Sequence, residues 1–347
     1  DKIVEQYAVG RLIVAGDNRY LSGDLLDFLN RLPVAKTGTS KKANTFIDFR
    51  WVQTLNHQNF FAPGAAYEPG HVCTLLRNPH IARNEEMQLY PIKERGYLYD
   101  QYLGHLTDVV MVGYSSLAAE RLGGADYDGD MIKTISDPIL NECVKRNIYH
   151  DPPRPRSVFS RSHNLPLLMI PTAQPQIRSA DDWEARFETV RSTFSSRVGQ
   201  ICNAALDRSI IAYNENSDAE ERERCREETE TLAILTGLEI DSAKSGIRPD
   251  LDEYLTHKTV KRSDFLKYKT LAEAVETRRA WYEPTHAAKV KAFFKRVDWD
   301  EVDSNVERLP YLAQQLKKNT PRIKARPARD LFDRQLQHLH FFLNQPS

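Results

Sequence analysis

The stretch GGADYDGDM, residues 123–131, decides how the rest of the chain is interpreted. Three aspartates, Asp126, Asp128 and Asp130, occupy alternate positions in it, and a glycine lies between the last two. Carboxylates placed so close together repel each other and raise one another's pKa unless a cation lies between them. Because the formal net charge of the chain is zero, this concentration of negative charge needs a local explanation.

A shared metal ion requires the acidic segment to curl. In a straight strand, positions 126 and 130 lie about 13 Å apart at about 3.3 Å per residue. Carboxylate oxygens that share one Mg²⁺ each lie only about 2.0–2.1 Å from the ion. Gly129 supplies the freedom to bend, since glycine tolerates positive φ. The spacing alone leaves two interpretations open, a metal site and an acidic surface turn with solvated charges.

A calcium loop of the EF-hand type is the main competing metal site. The three aspartates would occupy its first, third and fifth positions, and Asp137 its twelfth. The sixth position, where such a loop requires glycine for its sharp turn, holds Met131. No helix is predicted to lead into the segment, so the pattern disfavours an EF-hand.

Length and composition are those of a soluble globular protein with a substantial core. The chain has 347 residues, of which 41% are hydrophobic and 28% charged, which allows two or three domains. No apolar run is long enough to cross a bilayer, and no charged-then-apolar stretch resembles a secretion signal. We therefore predict a cytoplasmic protein without a membrane partner, in the host cytoplasm if a phage encodes it. The chain opens on Asp1, and we expect a fragment or a processed product.

Cysteine and histidine show no zinc-binding pattern in the sequence. The four cysteines are far apart, without a CxxC pair, and we predict reduced thiols. His338 and His340 lie two residues apart near the end of the chain, and we interpret them as packing or surface residues. The balanced charge argues against a protein that coats nucleic acid, but it permits a local basic groove.

The first 140 residues are predicted to form a small barrel or compact sheet. A short amphipathic helix is predicted within 21–33, with Ser22 as its N-cap and Pro33 at its end. Short strands interrupted by glycine and polar turns are typical of barrels. The predicted strands are at 11–16, 46–52, 71–77, 108–116 and 131–136.

The later part of the chain is predicted to be mainly helical. Apolar residues at three- and four-residue spacing predict one long helix over about 183–213. A charged amphipathic helix is predicted over 218–237 and is closed by Gly237. Further helices are predicted at 263–281 and 284–296.

The change from predicted strands to predicted helices along the chain defines the domain boundaries. We predict a β-barrel domain over 1–140, a connector rich in proline and arginine over 141–180, a helical domain over 181–300, and a basic tail with a C-terminal helix over 301–347. Within the tail, the run 317–329 has six basic residues and no acidic one. A solvated linker and a phosphate-contacting arm both remain open for it.

The stretch GADYDGDM (124–131) resembles the catalytic signature of the multisubunit-type RNA polymerases and of the cellular RNA-dependent RNA polymerases of RNA silencing. In both groups, three aspartates spaced as in DxDGD hold the catalytic Mg²⁺ in a double-psi β-barrel. The resemblance implies an α+β fold in which such a barrel is followed by a mainly α-helical region. The chain looks most similar to the silencing enzymes and to the compact single-chain RNA polymerases of phages and prophages.

Three further regions carry the same resemblance in the expected order. VGRLIVAGDNRYLSGDLLDFLNRL (9–32) is similar to the stretch that opens this barrel in the largest bacterial polymerase subunit. HVCTLLRNPHIARNEEMQLYP (71–91) is similar to the strand that carries an Arg-x-Pro element. SSRVGQICNAALDRS (195–209) and TLAILTGLEIDSAKSG (231–246) are similar to helices downstream of the metal loop in the silencing enzymes.

The resemblance implies roles for five residues. Asp126, Asp128 and Asp130 are implied as catalytic metal ligands, and Arg77, in the Arg-x-Pro element, as a nucleotide contact. Lys244 is implied as a phosphate or template contact. Without the resemblance, Arg77 would be interpreted as a salt-bridging surface arginine and Lys244 as a solvated loop lysine.

The implied activity is RNA synthesis on a nucleic-acid template from nucleoside triphosphates. The implied cofactor is Mg²⁺ in a two-metal mechanism, with one ion held by the three aspartates and a second arriving with the triphosphate. The bacterial likeness of residues 9–91 favours a DNA template, and RNA-dependent synthesis is the alternative. Two further alternatives are the metal-carrying half of a split polymerase and a non-catalytic nucleic-acid-binding subunit.

The chain departs from the family pattern in two respects. Gly124 stands where bacterial large subunits have an asparagine that helps to read the 2′-hydroxyl, so sugar discrimination must be arranged differently. These polymerases also use two double-psi barrels, and only one is recognised here. We expect the second barrel either upstream of Asp1 in a longer chain or in a partner subunit. The helix predicted over 183–213 takes the place of the helix that bridges the active site in related polymerases.

Overall fold

A computed structural model describes most of the chain and shows a mixed α+β architecture. The strand predicted at 46–52 and most of the basic run 317–329 lie outside the described residues. In the described part of the chain, no helix has the length and apolar character that a membrane span requires. The structure describes residues 2–31, 54–65, 67–68, 70–92, 97–149, 167–170, 179–255, 260, 262–277, 284–302, 304 and 306–319.

Six strands of the described residues close into a barrel. They are β1 (Gly16–Gly23), β2 (Asn59–Phe61), β3 (Cys73–Arg77), β4 (Glu86–Pro91), β5 (Val109–Val112) and β6 (Met131–Ile135). The order around the barrel is β1–β5–β2–β4–β3–β6, and β6 pairs with β1 to complete it. The pairs β1–β5 and β2–β4 are parallel, and the other neighbours are antiparallel.

Helices precede, connect and follow the strands. They are α1 (Lys2–Ala8), α2 (Leu25–Arg31), α3 (Tyr97–Leu103), α4 (Ala118–Arg121), α5 (Pro138–Tyr149), α6 (Trp183–Thr193), α7 (Val198–Ala212), α8 (Ala219–Ser245), α9 (Asp252–Leu255), α10 (Asp264–Thr277), α11 (Pro284–Arg296) and α12 (Leu309–Asn319). The chain divides into two compact units, one of residues 13–262 and one of residues 1–12 with 263–347. The domain boundaries expected from the sequence stay predictions.

The strands predicted within 71–77, 108–116 and 131–136 are confirmed as β3, β5 and β6. The strand predicted at 11–16 is wrong, because β1 begins only at Gly16. Leu12 and Ile13 are exposed and precede the strand. Within β1, side chains alternate between the barrel interior and the outside, as strand geometry requires. The prediction relied on apolar character without such alternation, and it placed the strand several residues too early in the chain.

Apolar side chains fill the barrel and fix the strands on either side of the acidic loop. The interior includes Leu21, Phe60, Leu75, Met87 and Ile132, none of them more than 4% exposed. Interiors packed at this density resist small displacements of the backbone. The pairing of β3 with β6 therefore fixes where the acidic loop ends.

The helix predicted within 21–33 is present as α2, but its cap is not the predicted one. Asp24, not Ser22, caps it, because Asp24 Oδ1 accepts hydrogen bonds from the backbone N–H groups of Leu26 at 3.0 Å and Asp27 at 3.3 Å. The other oxygen, Oδ2, accepts the Leu55 N–H at 2.8 Å and the Tyr99 hydroxyl. This buried carboxylate thus ties α2 to α3 and to the segment before β2.

We expect Asp24→Ala to lower the free energy of unfolding by about 3 kcal/mol. The variant loses the helix cap and leaves the Leu55 N–H and the Tyr99 hydroxyl without their acceptor in a buried environment. Burial, reinforced by Asp24, raises the pKa of Tyr99, so its hydroxyl stays a donor. Urea unfolding followed by circular dichroism measures the change. The exposed Asp100 of α3 is the matched control, and an equal loss in Asp100→Ala would contradict the assignment.

The single helix predicted over 183–213 is wrong, because the structure has two helices, α6 and α7. The break precedes α7, where Arg197 meets the buried Glu239 of α8. Glu239 accepts the backbone N–H of Arg197 and its Nη2, both at 2.9 Å. Burial acts to raise the pKa of Glu239, but the contacts with Arg197 outweigh it and hold the pKa below its ordinary value. This ion pair fixes the start of α7 on α8, so α7 begins as a separate helix after α6.

The helix predicted over 218–237 is confirmed as α8, but it continues for about two more turns. It ends at Gly246, whose φ of 73° is the left-handed value of a C-cap. Gly237 lies inside the helix, and a Cβ there would come within 2.2 Å of Ile170 Cδ1. The extra turns extend the helix through Lys244, so they decide whether this lysine reaches the acidic loop.

The smaller unit contains the helices predicted at 263–281 and 284–296, seen as α10 and α11. An aromatic cluster stabilises it. The rings of Phe294 and Trp299 have centroids 5.3 Å apart, and Tyr268 contacts both edge-on at 6.1–6.2 Å. Such pairs add to the burial of apolar area.

Candidate metal centre and nucleotide cleft

The acidic stretch forms the loop between α4 and β6. It is entered through Gly123 and Gly124, whose φ angles of 66° and 67° are rarely adopted by residues with side chains. Gly129, with φ of 124°, turns the chain back before Asp130. The bend that a metal site requires is therefore present at the predicted glycine.

The three loop carboxylates converge. Asp126, Asp128 and Asp130 each offer one oxygen, and these oxygens all lie within 4.8 Å of one another. The Asp126 N–H donates to Asp130 Oδ2 at 3.0 Å, and the Asp128 N–H donates to Asp126 Oδ1 at 3.2 Å. The loop is curled by its own hydrogen bonds, unlike the straight strand in which positions 126 and 130 would lie about 13 Å apart.

Arg77, the last residue of β3, connects the two ends of the loop. Its Nη2 donates to Asp130 Oδ1 at 2.8 Å, and its Nη1 donates to the carbonyl oxygen of Gly123 at 3.2 Å. The side chains of Arg77 and Asp130 are only 19% and 16% exposed. A charge-assisted hydrogen bond in this partly buried position is stronger than a surface ion pair.

Electrostatics in the loop are those of acids held close together. Hydrogen bonding with Asp128 lowers the pKa of Asp126. The same hydrogen bond, together with the negative charge of Asp126, raises the pKa of Asp128. A divalent cation bound between the two carboxylates would offset their mutual repulsion.

This donor set fits a hard divalent cation such as Mg²⁺. The three ligands are carboxylate oxygens, which Mg²⁺ prefers, and among the described residues no histidine or cysteine belongs to the group. Asp126 and Asp128 are exposed, so water and substrate oxygens have access. Asp130 is half-buried and paired with Arg77, so its carboxylate is held in a fixed position. These three residues can hold a metal ion.

An open cleft lies beside the loop. Arg77, the glycine pair and the three aspartates line it on the side of the barrel. The last turns of α8 line the other side, with Gly237, Ile240, Asp241 and Lys244. The structure thus brings all five residues singled out in the sequence, Lys244 included, to one cleft.

Ile170 packs between two glycines on opposite sides of this cleft. A Cβ on Gly124 would lie 3.1 Å from Ile170 Cδ1, and a Cβ on Gly237 only 2.2 Å from the same atom. A side chain at position 237 would therefore displace Ile170, whereas one at position 124 would only crowd it and would have to adopt a positive φ. Their absence of side chains sets the separation between the acidic loop and α8.

Sequence reasoning missed three residues of this site: Glu85, Ile170 and Asp241. Glu85 lies beneath the loop entrance, where a Cβ on Gly123 would come within 3.1 Å of its Oε1. It accepts the backbone N–H groups of Ile81 and Ala82, each at 2.9 Å, and burial raises its pKa despite these bonds. No signal for Asp241 existed in the sequence, because the predicted helix ended at Gly237 and Asp241 shares a face with Lys244 only in the longer α8.

The barrel thus presents three convergent aspartates that can hold a divalent cation, beside the basic side chains of Arg77 and Lys244. The model of the family described as RNA dependent RNA polymerase matches residues 46–290, well over half of the chain. The chain belongs to this family. The matched segment includes the acidic loop, Arg77 and the whole of α8.

Twenty chains of solved structures match, and one of them is the RNA dependent RNA polymerase QDE-1 from Thielavia terrestris. The sequence identity is 13%, the TM-score is 0.40, and the alignment covers 88% of this chain and 32% of that one. The chain therefore spans about a third of the length of that enzyme. No curated protein matches the chain.

Proposed function

We propose that this chain carries the catalytic centre for template-directed RNA synthesis. The observation that supports this best is the convergence of Asp126, Asp128 and Asp130 within 4.8 Å, on a loop inside the segment that the polymerase family model matches. The barrel that presents the loop is proposed to be of the double-psi type. Its closed mixed sheet, with two parallel and four antiparallel pairs, is compatible with that assignment.

The proposed reaction joins a nucleotide to an RNA 3′ end. The 3′-hydroxyl oxygen attacks the α-phosphorus of a nucleoside triphosphate, the bond from that phosphorus to the bridging oxygen breaks, and pyrophosphate leaves. Mg²⁺ at the three carboxylates, with a second ion that arrives with the triphosphate, would lower the pKa of the attacking hydroxyl and neutralise the leaving group. Asp126, Asp128 and Asp130 are the proposed ligands of the first ion.

The two basic residues of the cleft have different proposed tasks. Arg77 holds Asp130 and the Gly123 carbonyl, so it positions a metal ligand, and its predicted contact with the nucleotide remains a prediction. Lys244 has a side chain that is 70% exposed and lies on the α8 side of the cleft, where a cation attracts phosphate oxygens. Lys244 is therefore the proposed phosphate or template contact.

RNA is the proposed template. The family model carries the description RNA dependent RNA polymerase, and its match begins at residue 46. The DNA preference predicted from the sequence depended on residues 9–91, of which 9–32 lie outside this match. A likeness to compact phage enzymes and the presence of a second barrel, upstream or in a partner subunit, both stay predictions.

Primer extension on matched templates tests the function. The protein is incubated with Mg²⁺, all four ribonucleoside triphosphates and a primer on an RNA or a DNA template of the same sequence. We expect extension on the RNA template that stops when Mg²⁺ is chelated. Faster extension on DNA would overturn the template assignment alone. Binding of both templates without any extension would overturn the proposed activity and favour a non-catalytic subunit.

A further inference from the structure

Asp241 is a fourth carboxylate at the cleft, and the loop does not include it. Gly237, Asp241 and Lys244 are spaced four and three residues apart on α8, so they share one helix face, and all three line the cleft. Among the described residues, the carboxylates close enough to share one ion are those of the loop, and Asp241 is not one of them. Asp241 is therefore available to a ligand other than the loop's cation.

The local contacts of Asp241 leave its oxygens accessible. Its nearest cation is Lys244, with Nζ 3.8 Å from Asp241 Oδ1, and the two side chains are 49% and 70% exposed. An exposed ion pair at this distance contributes little to stability. The pair instead presents a hydrogen-bond acceptor and a cation side by side to the interior of the cleft.

The chemistry of a nucleotide restricts what this acceptor can bind. An ionised carboxylate only accepts hydrogen bonds, and it repels phosphate groups. A nucleoside triphosphate offers donors of two kinds, the amino and ring N–H groups of the bases and the hydroxyls of the ribose. The base donors differ in position from base to base, so a protein carboxylate that bound them would favour some bases over others, which conflicts with copying a template. The ribose hydroxyls are the donors that all four substrates share.

On the opposite side of the cleft, the acceptor side chains among the described lining residues are those of the loop aspartates. Gly123 and Gly124 have no side chains, and the loop aspartates are the proposed metal ligands. Arg77 is a donor and is occupied by Asp130 and the Gly123 carbonyl. In a nucleotide the ribose adjoins the phosphates, and on α8 the acceptor Asp241 adjoins the cation Lys244.

We propose that Asp241 accepts a hydrogen bond from the 2′-hydroxyl of the incoming nucleotide and so selects ribonucleotides over deoxyribonucleotides. This inference rests on the proposed polymerase function and names its sugar-specificity residue. Asp241 takes no part in the proposed bond making. Its proposed effect is a difference in the efficiency with which two substrates that differ by one oxygen atom are incorporated.

The test compares single-nucleotide incorporation of ATP, 2′-deoxy-ATP and 3′-deoxy-ATP opposite uridine in an RNA template. We expect Asp241→Ala to lower the ratio of kcat/KM for ATP over 2′-deoxy-ATP by about 10- to 100-fold, as for loss of a hydrogen bond to a charged group. Asp241→Asn keeps one acceptor oxygen and is expected to lose less. Selection against 3′-deoxy-ATP stays unchanged.

Glu227→Ala is the matched control, because Glu227 is an exposed carboxylate on the same helix, about 21 Å away along its axis at about 1.5 Å per residue. An unchanged ratio in Asp241→Ala would overturn the inference. An equal fall in kcat/KM for both sugars, together with a higher Mg²⁺ requirement, would also overturn it, because that result indicates a metal ligand. Either result leaves polymerisation by the wild-type protein intact. If the wild-type protein incorporates no nucleotide, the proposed function itself fails.

Discussion

Asp128→Ala is expected to lower nucleotide incorporation by about 10³-fold or more while the protein stays folded. Asp128 is one of three carboxylates that can share a cation, and its removal leaves only two ligands for an ion that must compensate several negative charges. Asp128→Asn is expected to be nearly as inactive. The amide keeps the shape of the side chain, but it does not carry the charge that attracts the ion.

The fold should survive because Asp128 contributes repulsion, not cohesion, when no cation is bound. Its carboxylate is exposed, and the hydrogen bond and charge of Asp126 raise its pKa. The barrel interior, with residues such as Phe60 and Leu75 fully buried, does not contact this side chain directly and remains intact. We therefore expect the melting temperature of Asp128→Ala without Mg²⁺ to equal or slightly exceed that of the wild type.

Two measurements separate loss of the ion from loss of the fold. Primer extension gives the rate, and thermal unfolding with and without Mg²⁺ gives the stabilisation by bound ion, which is expected in the wild type and absent in the variant. Asp108→Ala, at an exposed position just before β5, serves as the control and should keep both properties. Extension by Asp128→Ala at a rate near that of the wild type would refute the metal assignment.

The acidic loop could be predicted from the sequence because its constraints are local. Three aspartates within five residues need a cation or solvent, and Gly129 supplies the bend between the second and the third. The strands that flank the loop, β3 and β6, could also be predicted because their β-branched and apolar residues are bounded by polar turns. Nothing distant along the chain is needed to draw these conclusions.

Tertiary contacts explain the errors. Ser22 and Asp24 are both acceptable helix caps in the sequence, and Asp24 is selected because Leu55 and Tyr99 need the second oxygen of its carboxylate. The helical period runs unbroken through 194–197, yet the ion pair between Arg197 and Glu239 starts a new helix there. Each outcome depends on a partner more than 30 residues away.

The α8 side of the cleft could be predicted only in part, because it also depends on a tertiary contact. Gly237 is an ordinary helix-ending residue in the sequence, but in the structure it makes room for Ile170 inside a longer helix. Only this continuation gives Asp241 and Lys244 a common helix face toward the acidic loop. This close packing involves Ile170, which is distant from α8 in the sequence and lies in a segment without a recognisable sequence pattern.

Arg77→Ala is expected to lower incorporation by about 100-fold and the free energy of unfolding by about 2 kcal/mol. The variant leaves the half-buried Asp130 carboxylate without its cationic partner and releases the Gly123 carbonyl at the entrance of the loop. Both ends of the acidic loop then lose the side chain that connects them. The three carboxylates would spend less time in the arrangement that can hold an ion.

Arg77→Lys distinguishes this positioning role from a simple need for positive charge. A lysine ammonium is a single compact donor group and cannot reproduce the two divergent bonds of the guanidinium to Asp130 and Gly123. We expect Arg77→Lys to recover most of the stability but only a minor part of the rate, and to require more Mg²⁺ for half-maximal extension. Arg146→Ala, which breaks an exposed ion pair within α5, should change none of these quantities. A lysine variant with the wild-type rate and Mg²⁺ dependence would show that charge alone suffices, and that the two-bond geometry of Arg77 is not what holds the loop.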